Sequence, residues 1–300
     1  MPSAANFANP SQPLPAAAGV STVAYLGPSG TYAEAAAQDF CAQAQIETGS
    51  LRPYPTIAAT VEAVANGSVE WGVVPVENSI EGGVAMTLDS LWRLGTLQIH
   101  QAIVLPIRHC LIGTAAEWDP QQITEVLSHP QALGQCQTWL RTHLPQAIPV
   151  STSSTAGALE QLIDQPHRVA IASRRAAQLY QLPILAAPIN DHPDNSTRFW
   201  AISQTPSPTG SHTSLAFSLP DNVPGALLRP LQILATEGLN MSRIESRPTK
   251  KSAGTYVFFI DIEHPHLPHL PPDVLQALGS IADKLQLLGS YDVLPQSEEI

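Results

Sequence analysis

The chain is 300 residues long, 44% of them hydrophobic and only 13% charged; this excludes a disordered tail or a coiled coil and leaves room for two or three globular domains. Its 14 basic residues stand against 25 acidic ones, a net charge of -11. Nucleic acid and anionic membrane are excluded as main partners, because both are held by clustered Lys and Arg.

In chain order, the opening segment MPSAANFANPSQPLPAAAG (1–19) is rich in Pro, Ala and Ser without periodicity and reads as a disordered leader. The first basic residue is Arg52, so the leader lacks the basic region of a signal peptide. No apolar run reaches the ~18 residues of a membrane span. Cys41, Cys110 and Cys136 are odd in number and widely spaced, the pattern of reduced thiols in a cytoplasmic protein.

From Val20 onward, short β-branched runs alternate with longer Ala- and Leu-rich stretches, an α/β signature. Strands are predicted at 23–26, 71–76, 98–104, 125–127, 168–172 and 198–203, with helices starting near Thr31, Ile57, Gly82, Pro130, Thr155 and Ser173. The Pro-, Ser- and Thr-rich stretch SQTPSPTGSH (203–212) reads as a linker. Beyond it the order is strand 214–219, helix 225–237, strand 241–249, strand 255–263, helix 272–284 and strand 285–293. That βαββαβ succession is the split, ferredoxin-like arrangement of a small separate unit.

Four stretches of the first region share a design: LGPSGTYAEAA (26–36), VPVENSIEGGV (74–84), LSHPQALGQC (127–136) and VSTSSTAGALE (150–160). Each presents hydroxyl or amide side chains where a strand end meets a helix start, the place where ligands collect in open α/β sheets and where free N–H groups attract anions. Any one of them alone reads equally well as a helix cap. His129 in SHP reads as a strand end before a helix-opening Pro. A fifth stretch, NDHPDNSTRFW (190–200), contains the N-x-[ST] acceptor pattern at Asn195, but a cytoplasmic protein is not glycosylated there, which leaves the Thr197 hydroxyl open for chemistry.

The stretches GPSGTYAEAA, VPVENSIEGGV, SHPQALGQC and NSTRFW resemble, in order, the consecutive motifs of the prephenate dehydratases. PGALLRPLQILATEGLNMSRIESRP (224–248) resembles the ACT regulatory domain of the same enzymes. The resemblance spans roughly Val20 to Val293. With no helical chorismate mutase segment ahead of it, the chain resembles the monofunctional form.

The resemblance implies a catalytic domain at 20–205 with two α/β lobes flanking a cleft, like a periplasmic binding protein. Lobe 1 would be about 20–104 with 190–205, lobe 2 about 105–189, and the ACT domain 213–293. The implied reaction is the decarboxylative dehydration of prephenate to phenylpyruvate, which needs no cofactor and no metal. Thr197 would be the donor to the leaving hydroxyl, with Arg198 gripping a substrate carboxylate or locking its strand through a salt bridge, and Glu77, Asn78, Ser128 and Gln135 at further catalytic positions. Thr31, Ser153, Ser154, Thr155 and Phe199 would bind substrate. In the ACT domain, Gly225, Ala226, Leu227 and Asn240, with Glu245, Ser246, Arg247 and Pro248 at a facing subunit's edge, would bind L-phenylalanine as effector, in a homodimer or homotetramer. Two alternatives stay open: a dehydratase preferring arogenate, and a non-catalytic amino-acid sensor on the same frame.

Overall fold

In the computed structural model, residues 21–47, 50–207, 209–250 and 254–294 are described. The expected leader lies outside them. Lobe 1 opens with β1 (Val23–Leu26), α1 (Tyr32–Ala44), β2 (Leu51–Tyr54), α2 (Ile57–Ala65), β3 (Trp71–Asn78), β4 (Gly82–Gly83), α3 (Ala85–Leu94) and β5 (Gln98–Pro106). The chain then crosses to lobe 2, comprising β6 (Cys110–Ile112), β7 (Glu125–Ser128), α4 (Pro130–Gly134), α5 (Gln137–His143), β8 (Ile148–Ser151), α6 (Gly157–Glu160), β9 (Arg168–Ala172), α7 (Arg174–Tyr180) and β10 (Ile184–Ala186). It returns as β11 (Ser196–Ser203), which lies antiparallel between β3 and β5.

The C-terminal unit follows as β12 (His212–Ser218), α8 (Leu228–Thr236), β13 (Asn240–Pro248), β14 (Tyr256–Glu263), α9 (Pro272–Ile281) and β15 (Lys284–Leu294), the predicted βαββαβ order. Besides β4, the sequence reading misses four strands, and these, β2, β6, β8 and β10, are only three or four residues long. Two of them, β2 and β8, sit at sheet edges and carry Pro53 and Pro149, a residue tolerated at an edge because it has no N–H to donate. The helix expected from Gly82 starts instead at Ala85. Gly82, at φ +83°, turns the chain back so that Gly83 pairs with Glu77 and Val84 N–H donates to Val76 O at 2.8 Å.

Lobe 2 is built on a five-stranded sheet of order β10-β6-β9-β7-β8, and lobe 1 shares a ten-stranded sheet with the C-terminal unit, β13-β14-β12-β15-β5-β11-β3-β1-β2 with β4 beside β3. The joint is β15, which pairs in parallel with β5 through Asp292 to Leu294. The C-terminal sheet is therefore covered on both faces. One face packs under α8 and α9 through Leu215, Phe217, Ile260 and Ile262. The other, through Ala216, Val257, Phe259 and Leu288, joins the lobe 1 core around Val74, Leu88 and Trp200. β14, predicted at 255–263, thus has two buried faces, and Asp261 on the second is 0% exposed. Among the described residues no helix is long and apolar enough to cross a membrane.

Gly289 makes the joint possible. Its φ is +128°, and a Cβ there would lie 2.5 Å from Ile99 O and 2.8 Å from Ile99 N. We predict that Gly289→Ala lowers unfolding stability by about 2–5 kcal/mol, through backbone strain plus overpacking. Urea unfolding checks this, and an unchanged midpoint would show that the two sheets can separate at no cost.

Candidate active site

The β3–β11 ladder carries the centre of the site, and one irregularity decides its geometry. Phe199 pairs with Pro75, but the next residue back, Arg198, pairs with Glu77, so Val76 is an extra residue in β3. Such a bulge re-aims the side chains beyond it. Beyond the bulge the pairs are Arg198↔Glu77 and Thr197↔Asn78, and because successive strand residues point to opposite faces these two pairs diverge. Arg198 shares its face with Trp200, turned toward the C-terminal sheet, whereas Thr197 is on the face of Phe199.

Asn78 organises the Thr197 face. Its Nδ2 donates to Thr197 Oγ1 at 3.0 Å, to Asn195 Oδ1 at 2.8 Å and to Ser196 O at 3.1 Å, and its Oδ1 accepts from the Ile80 and Glu81 N–H groups, both at 3.0 Å. Asn195 passes the network to lobe 2, donating from Nδ2 to Gln135 Oε1 at 2.8 Å. Gln135 Oε1 also meets His109 Nε2 at 2.9 Å. An amide oxygen only accepts, so His109 carries its proton on Nε2 and leaves Nδ1 bare, 3.5 Å from the Tyr32 hydroxyl. Asn78, Gln135, His109 and Asn195 are all buried, while Thr197 is half-buried. Gln135 Nε2, also buried, has no hydrogen-bond partner among the described residues.

Segment 190–195, between the lobes, holds this network in place. Asn190 accepts the His109 N–H at 2.6 Å and donates to Ile107 O at 2.9 Å, and Asp191 caps α5 by accepting from the Thr138 and Trp139 N–H groups. His109 and Asn195 were not among the residues the sequence singles out for chemistry. His109 sits in no motif, and Asn195 lies in one but reads as the first residue of a glycosylation pattern. His129 is the N-cap of α4, as expected for SHP.

Of the other expected residues, the structure brings only some together. Arg198 and Glu77 lie across the ladder from Thr197: Arg198 Nη1 stands 3.3 Å from Asp261 and 3.8 Å from Glu77. Of the two roles expected for Arg198, the structure shows the salt bridge, because strand alternation in β11 turns the guanidinium to the face opposite Thr197. Ser128 is fully buried and donates to Ile171 O at 2.6 Å, so its hydroxyl is committed to joining two strands. Phe199 is core, packed with Phe40, Trp71 and Ile103.

Thr31 is the N-cap of α1, accepting from Glu34 N–H and donating to Pro28 O at 2.9 Å. It belongs to the contact between lobes, where Ser173 donates to Gly30 O at 2.9 Å and Arg175 pairs with Glu34 at 3.0 Å. A cavity of about 140 Å³ beside it is lined by Thr31, Tyr32, Arg108, Ser173 and Arg174, without Thr197. Ser154 caps α6 by accepting Gly157 N–H at 2.9 Å; Ser153 is exposed and Thr155 half-buried in the same loop.

In the C-terminal unit, Gly225, Ala226 and Leu227 do not begin a helix but form the turn before α8, with Gly225 at φ +82°. They line a cavity of about 180 Å³ with Asn222, Thr255, Tyr256 and Phe258. Asn240 is elsewhere, donating to Glu263 at 2.9 Å. Glu245 and Arg247 face lobe 1 of their own chain, through Arg243 and Asp89 respectively, while Ser246 and Pro248 are exposed on the other face of the edge strand β13. Strand alternation thus turns the inward half of the Glu245–Pro248 run, expected at a facing subunit's edge, toward lobe 1 and leaves its outward half exposed.

Burial pushes the His109 pKa down against the opposing hydrogen bond to Gln135. The unfolded chain therefore binds this proton more readily than the native state, so the stability contributed is present above about pH 6.5 and is lost as pH falls below it. Urea midpoints should fall more steeply between about pH 7 and about pH 5 in the wild type than in His109→Gln. Equal slopes would contradict a buried neutral imidazole.

Comparison with known proteins agrees with this arrangement. The family described as prephenate dehydratase matches residues 23–207, and the ACT domain matches residues 213–278. A bifunctional chorismate mutase/prephenate dehydratase of Pseudomonas aeruginosa is 42% identical over 271 residues, 90% of this chain and 72% of that protein. The prephenate dehydratase of Lactococcus lactis subsp. cremoris is 35% identical over 284 residues, covering 92% of this chain and 99% of its own. Among solved structures, the prephenate dehydratase of Arthrobacter aurescens in complex with L-Phe superposes with a TM-score of 0.79 at 34% identity, covering 90% of each chain. On the matched length, the identity and the order of its two domains, the chain belongs to the prephenate dehydratase family.

Proposed function

We propose that the chain is a carbon–oxygen lyase of phenylalanine biosynthesis, converting prephenate to phenylpyruvate, water and carbon dioxide, with phenylalanine as its regulator. Catalysis is assigned to residues 20–205 and regulation to 213–293. The observation that carries the reading is the Asn78 Nδ2–Thr197 Oγ1 hydrogen bond at 3.0 Å. Because Thr197 oxygen accepts there, its own O–H is free to donate elsewhere, and the amide dipole stabilises negative charge growing on that oxygen.

In the reaction the bond from the ring to its carboxylate breaks and releases carbon dioxide. Its electron pair enters the ring, which becomes aromatic and expels the hydroxyl group. Thr197 supplies the proton that lets that group leave as water, and solvent returns the proton. Aromatisation provides much of the driving force, so the protein's task is donation and orientation. Gln135 Nε2, buried without a partner, is a donor suited to a substrate oxygen, since an unpaired buried donor costs about 1–3 kcal/mol. The Asn195–Gln135 bond spans the lobes, so lobe closure and completion of this donor set are one event.

For regulation, the cavity at Gly225–Leu227 is the candidate effector site, and the L-Phe complex of the Arthrobacter relative supports an amino-acid effector. We assign a homo-oligomer in the cytoplasm, with the edge strand β13 and its outward Ile244, Ser246 and Pro248 available to a second copy; a monomer in sedimentation experiments would overturn that assignment.

Purified protein should release phenylpyruvate from prephenate, faster than it releases phenylalanine from arogenate. Thr197→Val should lower kcat by about 10²–10⁴, the usual worth of a positioned general acid. Full activity in that variant would remove Thr197 from the reaction, and turnover of neither substrate by the wild type would favour a sensor.

A further inference from the structure

On the face of the ladder opposite Thr197, five charged side chains from both domains meet. Arg198 contacts Asp261 at 3.3 Å and Glu77 at 3.8 Å. Arg243 contacts Glu77 at 3.7 Å, Asp261 at 3.8 Å and Glu245 at 2.6 Å. Asp261 is 0% exposed and Arg243 8%. Two of the five are buried and the other three half-buried; buried ions do not gather for stability alone, because desolvation cancels much of the Coulomb gain, whereas removing one member strands the others.

The cluster is built to fix orientation. Asp261 is held on its other oxygen by the Ser214 hydroxyl at 2.6 Å, which in turn contacts the Tyr291 hydroxyl at 2.7 Å, so the carboxylate cannot rotate away from Arg198. Arg243 is seated over Trp200, its guanidinium carbon 5.9 Å from the ring centroid. Nor is there slack on the β4 side: a Cβ on Gly83 would overlap the Glu245 carboxylate at 1.7 Å.

Resting on the function proposed above, we propose that Asp261 is a positioning residue of the dehydratase site. It holds Arg198 on the regulatory side of the ladder, and the Arg198–Glu77 cross-strand pair thereby sets the register of the Thr197–Asn78 pair one residue away. Asp261 does not touch substrate and acts through Arg198.

The same strand reaches the effector cavity. Along β14, Tyr256 and Phe258 line the cavity at Gly225–Leu227, and Phe259 and Asp261 face lobe 1. A ligand that shifts β14 therefore moves Asp261, and with it the alignment of Thr197, with no element in between.

The test is a double-mutant cycle on the full chain, with Asp261→Asn, Arg198→Gln and both together, read as kcat and KM for prephenate. A positioning role predicts that kcat falls at least about tenfold in each single variant with KM within about threefold. It also predicts that the double variant is no slower than the worse single one, because both changes break one contact. Additive losses would overturn the proposal, as would unchanged kcat in Asp261→Asn. A rise in KM confined to Arg198→Gln would overturn it in favour of Arg198 as a substrate ligand. Circular dichroism and a melting curve separate misfolding from misalignment. Should Asp261→Asn not fold, Asp261→Glu, which keeps the charge but displaces it, must show the same split, and equal losses in kcat/KM carried by KM would overturn the idea. Failure of the wild type to turn over prephenate would count against the proposed function and is read before any variant.

Discussion

One extra residue in one strand sorts four side chains into two opposed cross-strand pairs. The bulge at Val76 changes the phase of β3 just before its end, so that Glu77 meets Arg198 on one face and Asn78 meets Thr197 on the other. Had the ladder continued without it, Glu77 would point with Trp71 and Val73 toward α1, and no carboxylate of β3 would face the C-terminal sheet. The hydroxyl and its orienting amide belong to the cleft, and the ion pair belongs to the contact between domains. In the proposed reading, two adjacent rungs of a single ladder thus serve catalysis and regulation.

The fold supports that division by making the C-terminal unit part of the sheet that carries the site. Pairing of β15 with β5 puts β11 next to the joint, and burial of Val257 and Phe259 in the lobe 1 core brings Asp261 within reach of Arg198. Burial pushes the Asp261 pKa up, against the pull of Arg243, Ser214 and Arg198 in the other direction. Such a carboxylate is tolerated only where its partners are fixed, which is why the hydroxyls of Ser214 and Tyr291 stand behind it. A second contact, Asp89 with Arg247 and Lys250, fastens α3 to the end of β13. There burial acts to raise the Asp89 pKa, and the two cations outweigh it and bring it down.

Much of the architecture was legible in residue order. The alternation of β-branched and Ala-rich runs marks the α/β lobes, the Pro-rich break before His212 marks the second domain, and its βαββαβ order follows from two amphipathic helices between apolar runs. The motif around Asn78 and Thr197 was legible too, because its amides and hydroxyls gather at strand ends. What sequence spacing does not contain is pairing register. Arg198 reads as a cation beside the threonine; strand alternation turns it to the opposite face, and only the register shows that Glu77 and Asp261 meet it there. His109 carries no local signal, since it meets Gln135 and Tyr32 only when the two lobes are brought together. Ser128 and Phe199 look available in a motif and are spent on joining strands and filling the core. The inward half of ESRP looks like a ligand edge and instead fastens the domain to lobe 1.

The central claim is that Thr197, oriented by Asn78, addresses the leaving hydroxyl while Arg198 stays with Asp261. A crystal structure of the Thr197→Val variant with prephenate bound tests it most directly, because the stalled complex shows which group of the substrate faces each rung. The account predicts the ring hydroxyl directed at residue 197, within about 4 Å of its side chain, with Arg198 still on Asp261. A substrate carboxylate seated on the Arg198 guanidinium, with the ring hydroxyl turned away from position 197, would contradict it.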